Sequence, residues 1–222
     1  EFVPFDGQFR DNVIIQIKNG PVDFQPREPF SPLFGQLTST TVMPELQITQ
    51  EYLGHSNHLV YLLPMWKECL DADTYQKGEG STVAAITTGK LHQRPISAIA
   101  GVTNIGDSIN WCGHHFAQSN WYAFGRIAWN PSLSSEQVAD EWIKQTFTAQ
   151  PEFLNPIKEL MLRSREDNVH YEMPLGLHHI FSGPSHYGPG PWEGGTRPDW
   201  SPIYYHKADK DGIGFDRTLN GT

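Results

Sequence analysis

The sequence is poor in cysteine and in basic residues. It has only Cys69 and Cys112, too few for a disulfide framework or an all-cysteine zinc site, and we interpret both as free thiols. Its 16 lysines and arginines are scattered, and 25 acidic residues give a net charge of -9. Because nucleic-acid phosphates require a concentrated positive surface, this pattern argues against a nucleic-acid partner.

Long apolar runs and several common catalytic motifs are also missing. No run reaches the roughly 18 to 20 residues of a membrane-spanning helix, so no span is predicted in this sequence. It contains no Gly-x-Ser-x-Gly elbow, P-loop, dinucleotide fingerprint or helical pair of metal-binding histidines. We interpret the late histidines as structural; they are His114, His115, His178, His179, His186 and His206. Neither a metal nor an organic cofactor is predicted.

Aromatic residues, by contrast, are abundant. They make up 12% of the chain, with seven tryptophans. Trp192 and Trp200 lie in a stretch rich in glycine and proline, where they are candidates for stacking on a sugar ring or for burial in a core. The chain begins EFVPFDG without an initiator methionine. We expect it to be a piece of a longer protein, so its compartment stays open.

The hydrophobic pattern indicates an α/β fold. Strand-like runs at 12–17, 45–50 and 96–104 are separated by helical patterns, which is typical of βα units with a mainly parallel sheet. Helices are predicted from Pro64 to residue 75 and over 114–129, with residues 24–37 as an ordered loop.

The pattern changes after residue 130. Ser134 and Gln137 form a capping-box pattern that predicts a helix start, and Asn155-Pro156 predicts a second one. We therefore expect a boundary near residue 131. Residues 1–130 would hold βα units, and residues 131–222 would begin a mainly helical domain with a long aromatic loop.

Two carboxylates follow the first two predicted strands. Asp23 comes after the first and Glu51 after the second, and in an α/β barrel such positions gather at one mouth. Glycosidic hydrolysis needs a pair of carboxyl groups, although a chain with 25 acidic residues offers such pairs by chance. Lys18 and Arg27 flank Asp23 and are suited to an anionic group. The alternatives are that Arg27 pairs with Glu28 or another acid, and that Lys18 only extends its ammonium group into solvent.

Longer motifs resemble a known family over essentially the whole chain. They are KNGPVDFQPREPFSPLFG, ELQITQEYLG, HLVYLLPMWKE, AIAGVTNIG, NWCGHHFAQSNWYAFGRIAWN, PLGLHHI, HYGPGPW, RPDW and YYHKADKDGIGFDRT. These segments resemble glycoside hydrolase family 67, the xylan α-glucuronidases. The resemblance implies the last units of a (β/α)8 TIM barrel, followed by the start of a helical C-terminal domain. It also implies release of 4-O-methyl-D-glucuronic acid from xylo-oligosaccharides with inversion.

The resemblance also assigns roles to individual residues. Asp23 in NGPVDF and Glu51 in ITQEYLG match the carboxylates that activate water, and Lys18 matches a lysine that meets the uronic acid. Trp200 in RPDW is similar to a tryptophan that closes over the sugar. The family's general acid is a glutamate on an earlier strand, which no segment here matches. We therefore expect the isolated chain to be inactive.

The implied partners are a glucuronic-acid-substituted xylo-oligosaccharide and, in the complete protein, a second copy, because family members often dimerise through the C-terminal domain. The alternative hypothesis is a non-catalytic, carbohydrate-binding relative of the barrel. The presence of both Asp23 and Glu51 argues against it. Binding without turnover by the complete protein would favour it.

Overall fold

The computed structural model describes residues 2–107, 109–110, 112–173, 186 and 190. A short 3-10 helix, Val3–Phe5, precedes the main elements. In chain order these are β1 (Ile14–Lys18), α1 (Leu33–Gln36), β2 (Thr41–Gln47), α2 (Leu63–Asp71), α3 (Val83–Thr87), β3 (Ala100–Val102), α4 (His115–Trp129), α5 (Ser135–Thr146) and α6 (Pro151–Glu172). Within these ranges, no helix is both long and apolar enough to cross a membrane.

The three strands form one parallel sheet in the order β1-β2-β3. Lys18 at the end of β1 is opposite Glu45, and Glu45 is opposite Ala100 of β3. The parallel arrangement predicted from the alternation of strands and helices is confirmed. Because the strands are parallel, the loops that follow them leave from the same edge of the sheet. The closed barrel stays a prediction for the complete protein.

The hydrophobic core lies between the sheet and the helices. In β2, Val42 and Leu46 are buried on one face, as the two-residue period of a strand requires. Trp66 of α2, Ile127 of α4 and Ile143 of α5 belong to the same core. Burial of these large side chains holds the helices in fixed positions behind the strands.

Helix α2 confirms the predicted placement of Pro64 in a first turn, where its missing N–H costs nothing. The helix ends at Asp71, earlier than the predicted residue 75. Asp73 explains the difference, because its carboxylate accepts the backbone N–H groups of Tyr75 and Gly80 and folds this stretch into a loop. Tyr75 has a left-handed backbone (φ 54), which a helix does not allow.

Helix α5 begins as predicted, with a complete capping box. The Ser134 hydroxyl accepts the Gln137 N–H at 3.2 Å, and the Gln137 side chain accepts the Ser134 N–H at 2.9 Å. Helix α4 also agrees closely with the predicted range. The division into two domains near residue 131 stays a prediction.

Other local predictions are also wrong. The last helix begins at Pro151 and not at Asn155-Pro156, so that Pro156 lies inside it. Pro151 takes the first-turn position, and burial of Leu154 before the predicted start and Met161 after it favours one continuous helix despite the internal proline. The predicted loop 24–37 also contains a short helix, α1, whose Phe34 is fully buried.

Candidate active site at the carboxyl ends of the strands

Lys18 is the last residue of β1, and its ammonium group forms an ion pair with Asp23 in the loop that follows. The same nitrogen lies 4.8 Å from the centre of the Phe24 ring, within the range of a cation–π contact. Both charged side chains are half-exposed. Lys18 therefore presents a positive charge at the edge where the strands end.

Asp23 accepts a second hydrogen bond on its other oxygen, from the Tyr52 hydroxyl at 2.8 Å. Burial raises the pKa of Asp23, but the hydrogen bonds from Lys18 and Tyr52 and the charge of Lys18 together bring it below its ordinary value. Burial and the bond to Asp23 raise the pKa of Tyr52. Asp23 is thus held ionised, with a separate donor on each oxygen.

Glu51 is held by donors from two further elements. Its Oε2 atom accepts amide hydrogen bonds from Gln47 and Asn104, both at 2.7 Å. Gln47 ends β2 and Asn104 follows β3, so Glu51 lies across the ends of neighbouring strands. Its Oε1 atom lies 3.4 Å from His186 Nδ1.

Tyr52 connects the two carboxylates. It directly follows Glu51 in the chain, bonds to Asp23, and stacks its ring on His186 with the ring centres 4.5 Å apart. Lys18, Asp23 and Glu51 therefore lie at the same edge of the sheet. Trp200, the remaining predicted site residue, lies outside the described residues.

The sequence argument missed four side chains that complete this site. They are Gln47, Tyr52, Asn104 and His186. Tyr52 could have been found from its place beside Glu51, and Asn104 from its place after the third strand. Nothing in the local sequence around His186 connects it with Glu51.

Arg27 is directed away from these carboxylates and forms an ion pair with Glu166 of α6. Arg27 therefore pairs with an acid of the protein, which was the alternative to its binding an anionic group of the substrate. The neighbouring Arg165 is buried, donates two hydrogen bonds to Glu68 of α2 at 2.8 and 2.9 Å, and donates a third to the Pro26 carbonyl at 2.9 Å. These contacts fasten the loop that carries Asp23 to two helices.

In the part of the chain that is described, no group of three or more His, Cys, Asp or Glu side chains could hold a metal ion. His114, one of the histidines interpreted as structural, contacts the His58 carbonyl at 3.1 Å, and His58 in turn contacts the Tyr171 hydroxyl at 2.5 Å. Cys69 and Cys112 are both free, as predicted, and both are buried.

Comparison with known proteins identifies the family. The glycosyl hydrolase family 67 middle domain matches residues 1–111, and the glycosyl hydrolase family 67 C-terminus matches residues 112–222. The whole chain is 47% identical to alpha-glucuronidase A of Emericella nidulans. It is 44% and 42% identical to the probable alpha-glucuronidases A of Aspergillus flavus and Aspergillus clavatus.

The chain spans 26% of the length of each of these curated relatives, about a quarter. The two family matches meet at residues 111 and 112 and together cover every residue. Their order along the chain is that of a middle domain followed by a C-terminal one. The chain belongs to glycosyl hydrolase family 67, a family of enzymes.

Proposed function

We propose that the complete protein containing this chain is an inverting α-glucuronidase. It hydrolyses the α-1,2 bond between (4-O-methyl)-D-glucuronic acid and the terminal xylose of a xylo-oligosaccharide. The names of the relatives support the activity. The structural observation that carries the proposal is the placement of Asp23 and Glu51 after adjacent parallel strands, each held by side-chain donors.

Inversion requires one carboxylic acid and one basic carboxylate on opposite sides of the sugar. The acid protonates the departing xylose oxygen, and the base removes a proton from the attacking water. We assign activation of the water to Asp23 and Glu51. The acid belongs to a part of the complete protein outside this chain, at about 6.5–9.5 Å from the base, which leaves room for the water.

Lys18 is suited to bind the uronic acid. Its ammonium is half-exposed and already binds one carboxylate, that of Asp23, so it can also meet the carboxylate of the sugar. Trp200 is proposed to close over the sugar ring as a stacking surface. The chemistry is acid–base catalysis, which needs no cofactor.

The proposal is tested by release of 4-O-methylglucuronic acid from an aldouronic xylo-oligosaccharide. The complete enzyme is compared with Asp23→Ala, Glu51→Ala and the isolated 222-residue chain. We expect both variants to lose turnover and to retain binding, and the isolated chain to be inactive. Near-normal activity in either variant removes that residue from the site.

Two other outcomes would change the proposal. Turnover by the isolated chain would place the general acid within these 222 residues. Binding without turnover by the complete, unaltered protein would favour the non-catalytic carbohydrate-binding alternative. Dimerisation of the complete protein stays a prediction, to be checked by its mass in solution.

A further inference from the structure

A third carboxylate, Glu28, lies behind the loop that carries Asp23. Its Oε2 atom accepts the Val22 N–H at 2.8 Å, and its Oε1 atom accepts the Gln25 N–H at 3.1 Å. These two amides stand on either side of Asp23 in the chain. One side chain therefore fixes the backbone both before and after the proposed catalytic carboxylate.

The loop borders a cavity on this side. A cavity of about 230 Å³ is lined by Gln25 and Glu28 from the loop and by Met65 and Glu68 from α2. Phe24, directly after Asp23, has a left-handed backbone with φ 54, which is uncommon for a residue with a side chain. A loop with an unusual backbone above a cavity depends on hydrogen bonds to keep its shape.

Gly20 provides the space for the Glu28 carboxylate. A Cβ atom at residue 20 would lie 2.0 Å from Glu28 Cδ, far inside contact distance. The backbone of Gly20 is not in the left-handed region, so space, and not conformation, requires the glycine. Any larger residue would displace the carboxylate from the two amides.

We propose that Glu28 is a positioning residue for Asp23: it shapes the loop so that the Asp23 carboxylate meets Lys18 and Tyr52. This inference rests on the proposed function, because it concerns the geometry of the proposed water-activating group. Glu28 does not touch the substrate. Its removal leaves Lys18 in place and misplaces Asp23 relative to the water.

The test is steady-state kinetics of the complete enzyme with Glu28→Gln. The substituted amide keeps the size of the side chain but turns an N–H group towards a backbone N–H. We expect kcat to fall about 10- to 100-fold, because displacement of a reacting group by about 1 Å has effects of this size, and KM to change less than about twofold. A normal kcat would overturn the proposal.

Asp73→Asn is the matched control. Asp73 also accepts two backbone N–H groups, from Tyr75 at 2.8 Å and Gly80 at 2.6 Å, in a loop that contacts the residues before β2. Its substitution likewise keeps one acceptor oxygen and turns an N–H group towards the other backbone N–H, at the other end of the sheet. We expect it to leave kcat unchanged. An equal loss of kcat in both variants would show a general effect on folding and overturn the specific role of Glu28.

A double-mutant comparison tests the role of Gly20. Gly20→Ala should lower kcat about as much as Glu28→Ala and should add almost nothing once Glu28 is already alanine. If Gly20→Ala still lowers kcat in the Glu28→Ala background, the glycine has a role other than making room for Glu28, and this part of the proposal is wrong.

Asp23→Asn distinguishes this inference from the proposed function. If Asp23→Asn lowers kcat strongly, the small remaining kcat should not fall further when Glu28→Gln is added, because there is no carboxylate left to position. A further fall would show a structural role and overturn the proposal. If Asp23→Asn is active, the proposed function itself fails, and the positioning role fails with it.

Discussion

The two ends of the three-stranded sheet hold carboxylates in different ways. Before β2, Asp6 accepts the backbone N–H groups of Thr38, Ser39 and Thr40 at 2.8 to 3.1 Å. After the strands, Asp23 and Glu51 bind side-chain donors. Asp6 is therefore held mainly by main-chain donors, whereas the two proposed catalytic carboxylates are held by side chains.

This difference separates stability from chemistry. A backbone amide cannot move away without local unfolding, so a carboxylate that accepts three of them stabilises the conformation of that segment. Side-chain donors can rotate and change partners, so a carboxylate bound to them can accept a new ligand. The end of the sheet with side-chain donors is thus the one suited to a substrate.

The largest expected effect is on turnover by the complete enzyme. Asp23→Asn and Glu51→Gln should each lower kcat by about 10²- to 10⁴-fold, the usual contribution of a positioned base. Asp6→Asn should leave kcat within about twofold, because Asp6 lies at the other end of β2. Kinetics on the aldouronic substrate measure all three. A comparable loss of kcat in Asp6→Asn would contradict the assignment of catalysis to the end of the sheet that holds Asp23 and Glu51.

Lys18→Met should have the next largest effect. Loss of the cation should raise KM about 10- to 100-fold, since a charged contact with the uronate is removed. It should also raise the pKa of Asp23, which Lys18 lowers. Because the base must be ionised, the acidic limb of the profile of kcat/KM against pH should move to higher pH.

Lys144→Met is the control for this experiment. Lys144 pairs with Asp140 one helical turn away on the half-exposed surface of α5. Its loss should change neither KM nor the acidic limb. An unchanged acidic limb in Lys18→Met would mean that Asp23 is not the titrating base.

Asn104→Ala should have a smaller effect. It removes one of the two amide donors on Glu51 Oε2 and leaves that of Gln47. One lost hydrogen bond is worth about 1 kcal/mol, so kcat should fall about fivefold. Asn57→Ala, which removes a bond to the Gly54 carbonyl in the following loop, is the control. An equal loss in Asn57→Ala would show that the loop, and not Glu51, is affected.

Local sequence patterns predicted the parts of the fold that depend on local physics. The capping box at Ser134 and the first-turn position of Pro64 both follow from hydrogen bonds within a few residues. The second strand, predicted at 45–50, begins earlier, at Thr41, and ends at Gln47. The placement of Asp23 and Glu51 at the same edge of the sheet could be predicted because the loops that follow parallel strands leave from one edge. The family and its residue roles came from resemblance, which local patterns do not provide.

Contacts between distant segments could not be predicted in this way. Arg27 and Glu166 are 139 residues apart, and no pattern near either one indicates the other. The start of α6 was missed because burial of Leu154 and Met161 outweighs the local preference of Pro156. The bond from Tyr52 to Asp23 likewise depends on the packing of two loops.

Asp6→Asn should have the smallest effect, and it concerns stability. Burial raises the pKa of Asp6, but its hydrogen bonds to residues 38–40 outweigh burial and hold the pKa below the ordinary 3.8. A carboxyl group with a lower pKa in the folded than in the unfolded state contributes to stability at pH values above its unfolded-state pKa. This contribution is lost as the pH falls through the pKa of the folded state.

At neutral pH, loss of the charge should weaken this segment by about 1 kcal/mol, because the site is partly exposed to water. Hydrogen exchange at the Thr38, Ser39 and Thr40 amides of the complete protein measures this locally, and should be about fivefold faster in Asp6→Asn. The difference should disappear as the pH falls below 3.8 and Asp6 becomes protonated. Asp11→Asn removes an exposed charge from the same segment and should leave exchange unchanged. If Asp11→Asn has the same effect, net charge rather than the three amide bonds stabilises this end of the sheet.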